Sequence, residues 1–289
     1  METRAQDLPA GQSGTVSFCG QLTVNRLGFG AMRLTGEGIW GPPRDHAGAL
    51  AVLRRALELG VNFIDTADSY GPDVDEALIA EALSPYPNGL VIATKGGWLR
   101  PGPNQWSHDA SPKHLREAVE GSLKRLRLDR IDVYQLHVPD PAIKFGASVE
   151  ALAKMREEGK IRFVALSNVT REHIERAQKI VPIVSVQNRY GFADREWDNV
   201  VDYCTENRIV FIPWFPLGAG KVQHEMLARV AESHGATEKQ IALAWLLQRS
   251  PVMLPIPGTS SLKHLEENVA AASIRLTPQE LSELSSVEE

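Results

Sequence analysis

At 289 residues, 43% hydrophobic and 23% charged, the chain has globular composition and a length that suits one large α/β barrel better than two average domains. A net charge of -5 with no Lys/Arg run argues against nucleic acid as a partner, and no stretch of about 18 apolar residues is present to cross a bilayer. The two cysteines, Cys19 and Cys204, belong to no CxxC or Cys/His cluster, so a metal site and a secreted disulfide framework are both unexpected; two free thiols in a reducing cytoplasm are the expectation.

The opening METRAQDLPAGQSG mixes both charge signs with Pro and Gly and has no apolar core of the signal-peptide kind. Residues 1–14 therefore read as a flexible leader and residues 15–289 as a single domain. TVSFCGQLTVNRL alternates apolar and polar residues around a Cys-Gly turn, which predicts a β-hairpin closing the bottom of the fold. From Arg26 onward, short β-branched runs alternate with stretches of helical periodicity: RLGFG, NFIDTA, LVIATK, IDVYQLH, RFVALSN, PIVSVQN, VFIPWF and MLPIPG. Repeated βα units of this kind call for a parallel sheet, and eight strands close a (β/α)8 TIM barrel. Among the helices, HAGALAVLRRALELG carries a Leu50, Leu53, Ala56, Leu57 stripe with Gly60 as its stop. Ser111 and Thr170 read as N-caps, and LKHLEENVAA and TPQELSELSSV as extra C-terminal helices.

In such a barrel the C-terminal ends of the strands line the active site. Here the runs stop at polar residues: Asp65, Lys95, His137, Ser167 with Asn168, and Gln187 with Asn188, while Tyr70 follows Asp65 in a Ser-Tyr-Gly loop. Strand interiors buried on both faces reject unpaired charge, so these groups must meet one another or a ligand. Taken singly, each has a structural explanation as a cap, an ion-pair partner or a satisfied strand-end group. Together, a carboxylate, an ammonium, a phenol and an imidazole form a proton-transfer site. A free phenol has a pKa of about 10, so Tyr70 needs a neighbouring cation to act as an acid; Lys95, held charged by Asp65, is expected to lower it, with His137 orienting the substrate oxygen. No side chain supplies a hydride.

GVNFIDTADSYG, VIATK, VYQLH, ALSNV, SVQN and PIPGTSSLKHLEEN, in this order, resemble the aldo-keto reductase family over essentially the whole chain. The resemblance implies NADPH-dependent reduction of a carbonyl, NADH being the less expected cofactor, with Asp65, Tyr70, Lys95 and His137 as the catalytic tetrad and Tyr70 as its general acid. It places the nicotinamide carboxamide on Ser167, Asn168 and Gln187, the ring on Trp214 where Tyr is commoner, and the pyrophosphate under the loop that Leu217 and Gly218 begin, with Phe215 and Pro216 also among the cofactor-binding residues. Gly30, Ala31 and Met32 would lie along the cofactor, which itself would also pass Asp65. At the adenosine end, Gly258 and His264 stand where many members have Lys and Arg for the 2'-phosphate; Thr259, Ser260 and His264 remain as candidate phosphate donors, and Glu267 and Asn268 match the adenine contacts. VNRLGFGAMRLTGEGIWGPPRD, WFPLG and PIPGTSS further resemble the bacterial reductases that include pyridoxal reductases. That implies an aromatic aldehyde such as pyridoxal, with Trp40, Trp98 and Trp106 as candidate stacking residues.

Two other readings stand beside this one. The first is a non-catalytic nicotinamide-binding regulatory protein on the same barrel, since function lives in the site and not in the fold. The second is an aldolase-type barrel with Lys95 forming a Schiff base, which would require a neutral Lys95 and is opposed by Asp65.

Overall fold

The computed structural model describes residues 7–218 and 224–286. The leader is folded from Pro9 onward, contrary to the expectation of a flexible segment through residue 14: Pro9–Ser13 is a 3-10 helix, Ala10 is buried, and the Ala10 amide donates to the Leu59 carbonyl at 2.9 Å. An apolar residue packed under a backbone hydrogen bond ties this part of the terminus down. β1 (Thr15–Phe18) and β2 (Leu22–Asn25) form the expected antiparallel hairpin. Cys19 and Gly20, with φ of 50° and 69°, both take the left-handed conformation that tight hairpin turns demand.

The barrel strands begin with β3 (Phe29–Gly30), β4 (Phe63–Asp65) and β5 (Val91–Gly96). A second hairpin, β6 (Trp98–Gly102) with β7 (Gln105–His108), then interrupts the series before β8 (Ile131–Leu136), β9 (Ile161–Ser167), β10 (Ile183–Arg189) and β11 (Val210–Trp214). The parallel sheet runs β11-β10-β9-β8-β5-β4-β3. MLPIPG closes the ring as a single bridge instead of the expected full strand, Leu254 donating to the Phe211 carbonyl at 2.8 Å while Pro255 accepts from the Gly28 amide at 2.9 Å. The reason is local: Pro255 and Pro257 have no N–H to give a ladder.

Around the sheet lie α1 (His46–Glu58), α2 (Val74–Leu83), α3 (Pro112–Leu126), α4 (Phe145–Glu157), α5 (Arg171–Gln178), α6 (Asp198–Glu206), α7 (Glu225–His234), α8 (Glu238–Arg249), α9 (Leu262–Ala270) and α10 (Pro278–Ser285). Ser111 and Thr170 cap α3 and α5 as their sequences indicate, each hydroxyl accepting an amide of the first turn. Leu50, Leu53 and Ala56 of α1 are buried against the sheet. Among the described residues no helix is long and apolar enough to cross a membrane. Cys19 is exposed, Cys204 is buried, and neither is in a disulfide.

The barrel interior explains where the site lies. Side chains alternate along a strand, so every second residue points inward. Phe63, Val91, Val133, Phe163, Val184 and Val210 join Leu254 in the interior cluster, capped from below by Val16, Phe18 and Val24 of the hairpin. Phe18 stacks on Phe63 at 5.7 Å, and burying a side chain of this size contributes about 1.5–3 kcal/mol. Counting on by twos, Phe63 leads to Asp65, Ala93 to Lys95, Val133 to Gln135 and Ala165 to Ser167. The apolar filling thus gives way to a polar layer at the C-terminal mouth. On β10 a register shift between Ile183 and Val186 changes the parity, turning Gln187 inward while Val186 joins the outer core.

Candidate active site

At this polar layer the side-chain ammonium of Lys95, fully buried, donates to Asp65 Oδ2 at 2.6 Å, to the Thr66 carbonyl at 2.9 Å and to Tyr70 Oη at 3.2 Å. All three of its donors are used. The other carboxylate oxygen of Asp65 accepts from Gln135 Nε2 at 2.9 Å and Gln187 Nε2 at 2.8 Å. A buried ion pair is tolerable only when its remaining hydrogen-bonding capacity is met in this way. Tyr70 reaches Lys95 because the chain turns after β4, its amide donating to the Ala67 carbonyl at 3.2 Å. His137, just past β8, meets the Tyr70 ring edge-on at 5.9 Å, and its amide donates to the Gly96 carbonyl at 2.9 Å. Its Nδ1 is buried without a partner.

Burial alone would push the Lys95 ammonium down, but the charges and hydrogen bonds of Asp65 and Tyr70 outweigh it and hold the group above the ordinary lysine range. Lys95 is a permanent cation. Burial pushes the Tyr70 phenol up; Lys95 pulls it back only in part, and the Asp65 charge adds to the rise. The expected net lowering of this phenol is therefore not reached: in the free protein desolvation wins, and Tyr70 is a fully protonated donor. Burial, with the Lys95 charge beside it, holds His137 well below the usual imidazole value, so it is neutral at pH 7.

The positions expected to hold a cofactor follow the rim. Asn168, in the left-handed conformation with φ of 57°, donates to the His137 carbonyl at 2.9 Å and to Ser167 Oγ at 3.1 Å. Its Oδ1 accepts from Trp214 Nε1 at 3.0 Å, which anchors the indole by its edge. Gln187 spends its amide nitrogen on Asp65 and, at 3.2 Å, on Gln135 Oε1. Phe215 and Gly218 have φ of 62° and 52°, with the Gly218 amide closing a turn onto the Phe215 carbonyl at 3.0 Å. Pro216 and Leu217 lie within this turn.

Gly30 and Gly258 face each other across the first and last strand ends: a Cβ on Gly258 would stand 2.4 Å from the Gly30 carbonyl oxygen, and one on Gly30 would stand 2.7 Å from that of Ile256. Bare backbone is obligatory there, which explains why no lysine occupies residue 258. Ala31 is buried, Met32 is half-buried and Arg33, which the sequence reading did not single out, is exposed with its Cγ 3.6 Å from that same Cβ position. Thr259 Oγ1 accepts from the Ser261 amide at 3.1 Å, while Ser260 and His264 are exposed at the start of α9. Glu267 is half-buried and Asn268 buried on the same helix. Exposed hydroxyl, imidazole and guanidinium groups beside a helix N-terminus fit a phosphate-bearing ligand.

The three tryptophans converge on the mouth. Trp98 stands perpendicular to His137 at 6.3 Å and to Trp106 at 5.7 Å, and Trp40 bridges to Gly71, directly after Tyr70. The sequence reading missed Gln135, although strand alternation from Val133 to His137 marks it. It also missed Thr66, whose backbone oxygen serves Lys95 and which no side-chain pattern reveals, and the Arg100 guanidinium, which lies 3.8 Å from the Trp106 ring centre and 5.7 Å from that of Trp40.

Residues 26–289 match the aldo/keto reductase family model. The chain is 50% identical to an uncharacterised oxidoreductase of Schizosaccharomyces pombe over 277 residues, covering 95% of this chain and 90% of that protein. It is 47% identical to pyridoxine 4-dehydrogenase of Escherichia coli over 275 residues, covering 93% and 96% respectively. An aldo-keto reductase from Klebsiella pneumoniae, solved in complex with NADPH, superposes with a TM-score of 0.81 at 28% identity, covering 94% of this chain and 93% of that one.

Proposed function

The chain belongs to the aldo/keto reductase family and is an NAD(P)H-dependent oxidoreductase, and from that premise we propose that it reduces an aromatic aldehyde, pyridoxal foremost, to the alcohol in the cytoplasm with NADPH. The observation that carries the reading is the buried Lys95 ammonium bonded at once to Asp65 and to the Tyr70 hydroxyl. When bound, the nicotinamide supplies a hydride to the carbonyl carbon. Tyr70 Oη donates its proton to the carbonyl oxygen as negative charge develops there. The phenolate left behind is stabilised by Lys95, and Asp65 keeps that ammonium charged and in place. Neutral His137 offers an N–H to the same oxygen and sets the orientation of the carbonyl. In the reverse direction the Tyr70 phenolate takes the alcohol proton, so the site also serves alcohol oxidation.

Ser167, Asn168 and Gln187 would hold the carboxamide, Trp214 the ring face, and Leu217 and Gly218 the pyrophosphate, with Phe215 and Pro216 beside the cofactor. Gly30, Ala31 and Met32 would lie along the dinucleotide. Thr259, Ser260 and His264, with the α9 N-terminus, would take the 2'-phosphate next to Gly258, and Glu267 and Asn268 the adenine. Trp40, Trp98 and Trp106 would receive the flat ring of the substrate. A neutral, Schiff-base-forming Lys95 is opposed by its ion pair, and nothing at the site favours a binding-only protein.

The test is oxidation of NADPH and NADH, followed by absorbance, against pyridoxal, a second aromatic aldehyde, a methylglyoxal-type dicarbonyl and a ketosteroid. Turnover fastest with pyridoxal and NADPH is the expected result. Turnover of another carbonyl alone would discard the substrate, and cofactor binding without oxidation would discard the catalytic reading.

A further inference from the structure

Arg100 lies on the β6–β7 hairpin, outside the polar layer, and makes no ion pair among the described residues. Its guanidinium nevertheless donates to backbone carbonyls of three separate segments: Gln105 at 3.0 Å from Nε, Ile39 at 2.7 Å and Ser69 at 3.1 Å from Nη1, and Gly38 at 2.8 Å from Nη2. Its face packs on Trp106, with Trp40 on another side. Burial holds this guanidinium somewhat below the ordinary arginine range, in keeping with a cation that has traded water for carbonyls.

Among the described residues, two further backbone hydrogen bonds join these segments. The 36–41 turn meets the Tyr70 loop through the Gly41 amide on the Gly71 carbonyl at 2.9 Å, and meets the hairpin through the Asn104 amide on the Gly38 carbonyl at 3.3 Å. The hairpin register itself slips between Leu99 and Gly102. The tryptophans sit on both sides of this junction, Trp40 on the turn and Trp98 and Trp106 on the hairpin.

We propose that Arg100 is the positioning residue that assembles the aromatic mouth, clamping the 36–41 turn, the Tyr70 loop and the β6–β7 hairpin so that Trp40, Trp98 and Trp106 form a slot selective for flat, ring-borne carbonyls over small aliphatic ones. The inference rests on the carbonyl-reductase reading and deepens it by assigning the source of selectivity. Arg100 acts through the loops and touches no reacting atom. Tyr70 keeps its own anchors, Lys95 and the Ala67 carbonyl, when Arg100 is removed. The loss therefore falls on binding of the ring and not on proton transfer. Lysine is no substitute, since one ammonium on a flexible stem cannot reproduce a planar fork spread over three segments and stacked on an indole.

The test compares the wild-type protein with Arg100→Lys and Arg100→Met. For a flat aromatic aldehyde, KM should rise about tenfold in both variants with kcat little changed, whereas a methylglyoxal-type dicarbonyl should shift by less than about threefold. Independently of turnover, the alcohol pyridoxine, whose ring absorbs where tryptophan emits, is titrated by fluorescence quenching. Its Kd should weaken about tenfold in the variants, a change of about 1.4 kcal/mol. Equal losses for both carbonyls, a fall confined to kcat, or an unchanged pyridoxine Kd would each overturn the proposal. If the wild-type protein oxidises no cofactor with any carbonyl, the functional reading falls, and pyridoxine binding alone then decides the role of Arg100. Should Arg100→Met fail to fold, Arg100→Lys carries the comparison.

Discussion

Asp75, in the first turn of α2, is fully buried just behind the site, accepting from Thr66 Oγ1 at 2.7 Å through one oxygen while the other has no partner. Its carboxyl is pushed up to about 7, mainly by burial; the neighbouring Glu76 and Asp65 charges add to the rise, and the Thr66 hydrogen bond and the Lys95 charge oppose it. Because the folded value lies above the unfolded value of 3.8, the native chain holds a proton that the unfolded chain releases. Stability therefore falls as pH rises from about 4 to about 7 and is flat with respect to this group above that. At about 1.4 kcal/mol per unit, the three units of displacement correspond to a cost on the order of 4 kcal/mol above pH 7, about 2.7 kcal/mol of it developed between pH 5 and pH 7.

Asp75→Asn keeps an acceptor for Thr66 and removes the charge. The variant should gain on the wild type by about 2–3 kcal/mol between pH 5 and pH 8, read as a widening gap between urea denaturation curves. A constant offset between the two proteins, whatever its size, would refute the reasoning, since a packing change shifts stability equally at every pH and only titration bends the difference. The same charge raises the Tyr70 phenol, so the ascending limb of the pH–rate profile for alcohol oxidation, where Tyr70 ionises to act as the base, should move to lower pH in Asp75→Asn.

Tyr70→Phe removes only the proton donor and should cost about 10²–10⁴ in turnover, while NADPH binding measured by fluorescence stays within a few-fold of wild type. Lys95→Met leaves Asp65 charged and buried without its partner; it should be nearly inactive, retain a folded circular dichroism spectrum, and lose about 3–5 kcal/mol in chemical denaturation, part of which Asp65→Asn in the same chain restores. Gly258→Lys, which would return the cation common at this position in the family, should instead weaken NADPH binding and lower stability by about 1–3 kcal/mol, because its Cβ would press on the Gly30 carbonyl. A gain in NADPH affinity, seen by fluorescence titration, would contradict that steric argument.

Much of this protein was determined by properties that act along the chain. The alternation of β-branched runs with helical stripes reflects the two periods at which side chains face a core, so the barrel and most strand spans were readable directly. Ser111-Pro112, Thr170 and Thr277-Pro278 announce helix starts because capping is a contact within one turn. Asp65, Lys95, His137 and Ser167 were legible because a polar residue at the end of an apolar strand has to be explained by something outside it, and the barrel supplies one common place.

Only the tertiary structure decided what depends on partners distant in sequence. Pro9–Ser13 is ordered by the Leu59 carbonyl, and the GWLRPGPNQWSHD loop becomes a hairpin held through Arg100 by the backbone of residues 38, 39 and 69. The inward turn of Gln187 depends on a bulge that shifts parity, and the single-bridge closure at Met253 depends on which neighbours the prolines that follow leave unserved. The protonation state of Tyr70 belongs here too. Lys95 as a neighbour was readable, but the sign of the net shift is set by how completely packing excludes water from the phenol, a quantity that exists only once the whole barrel is assembled.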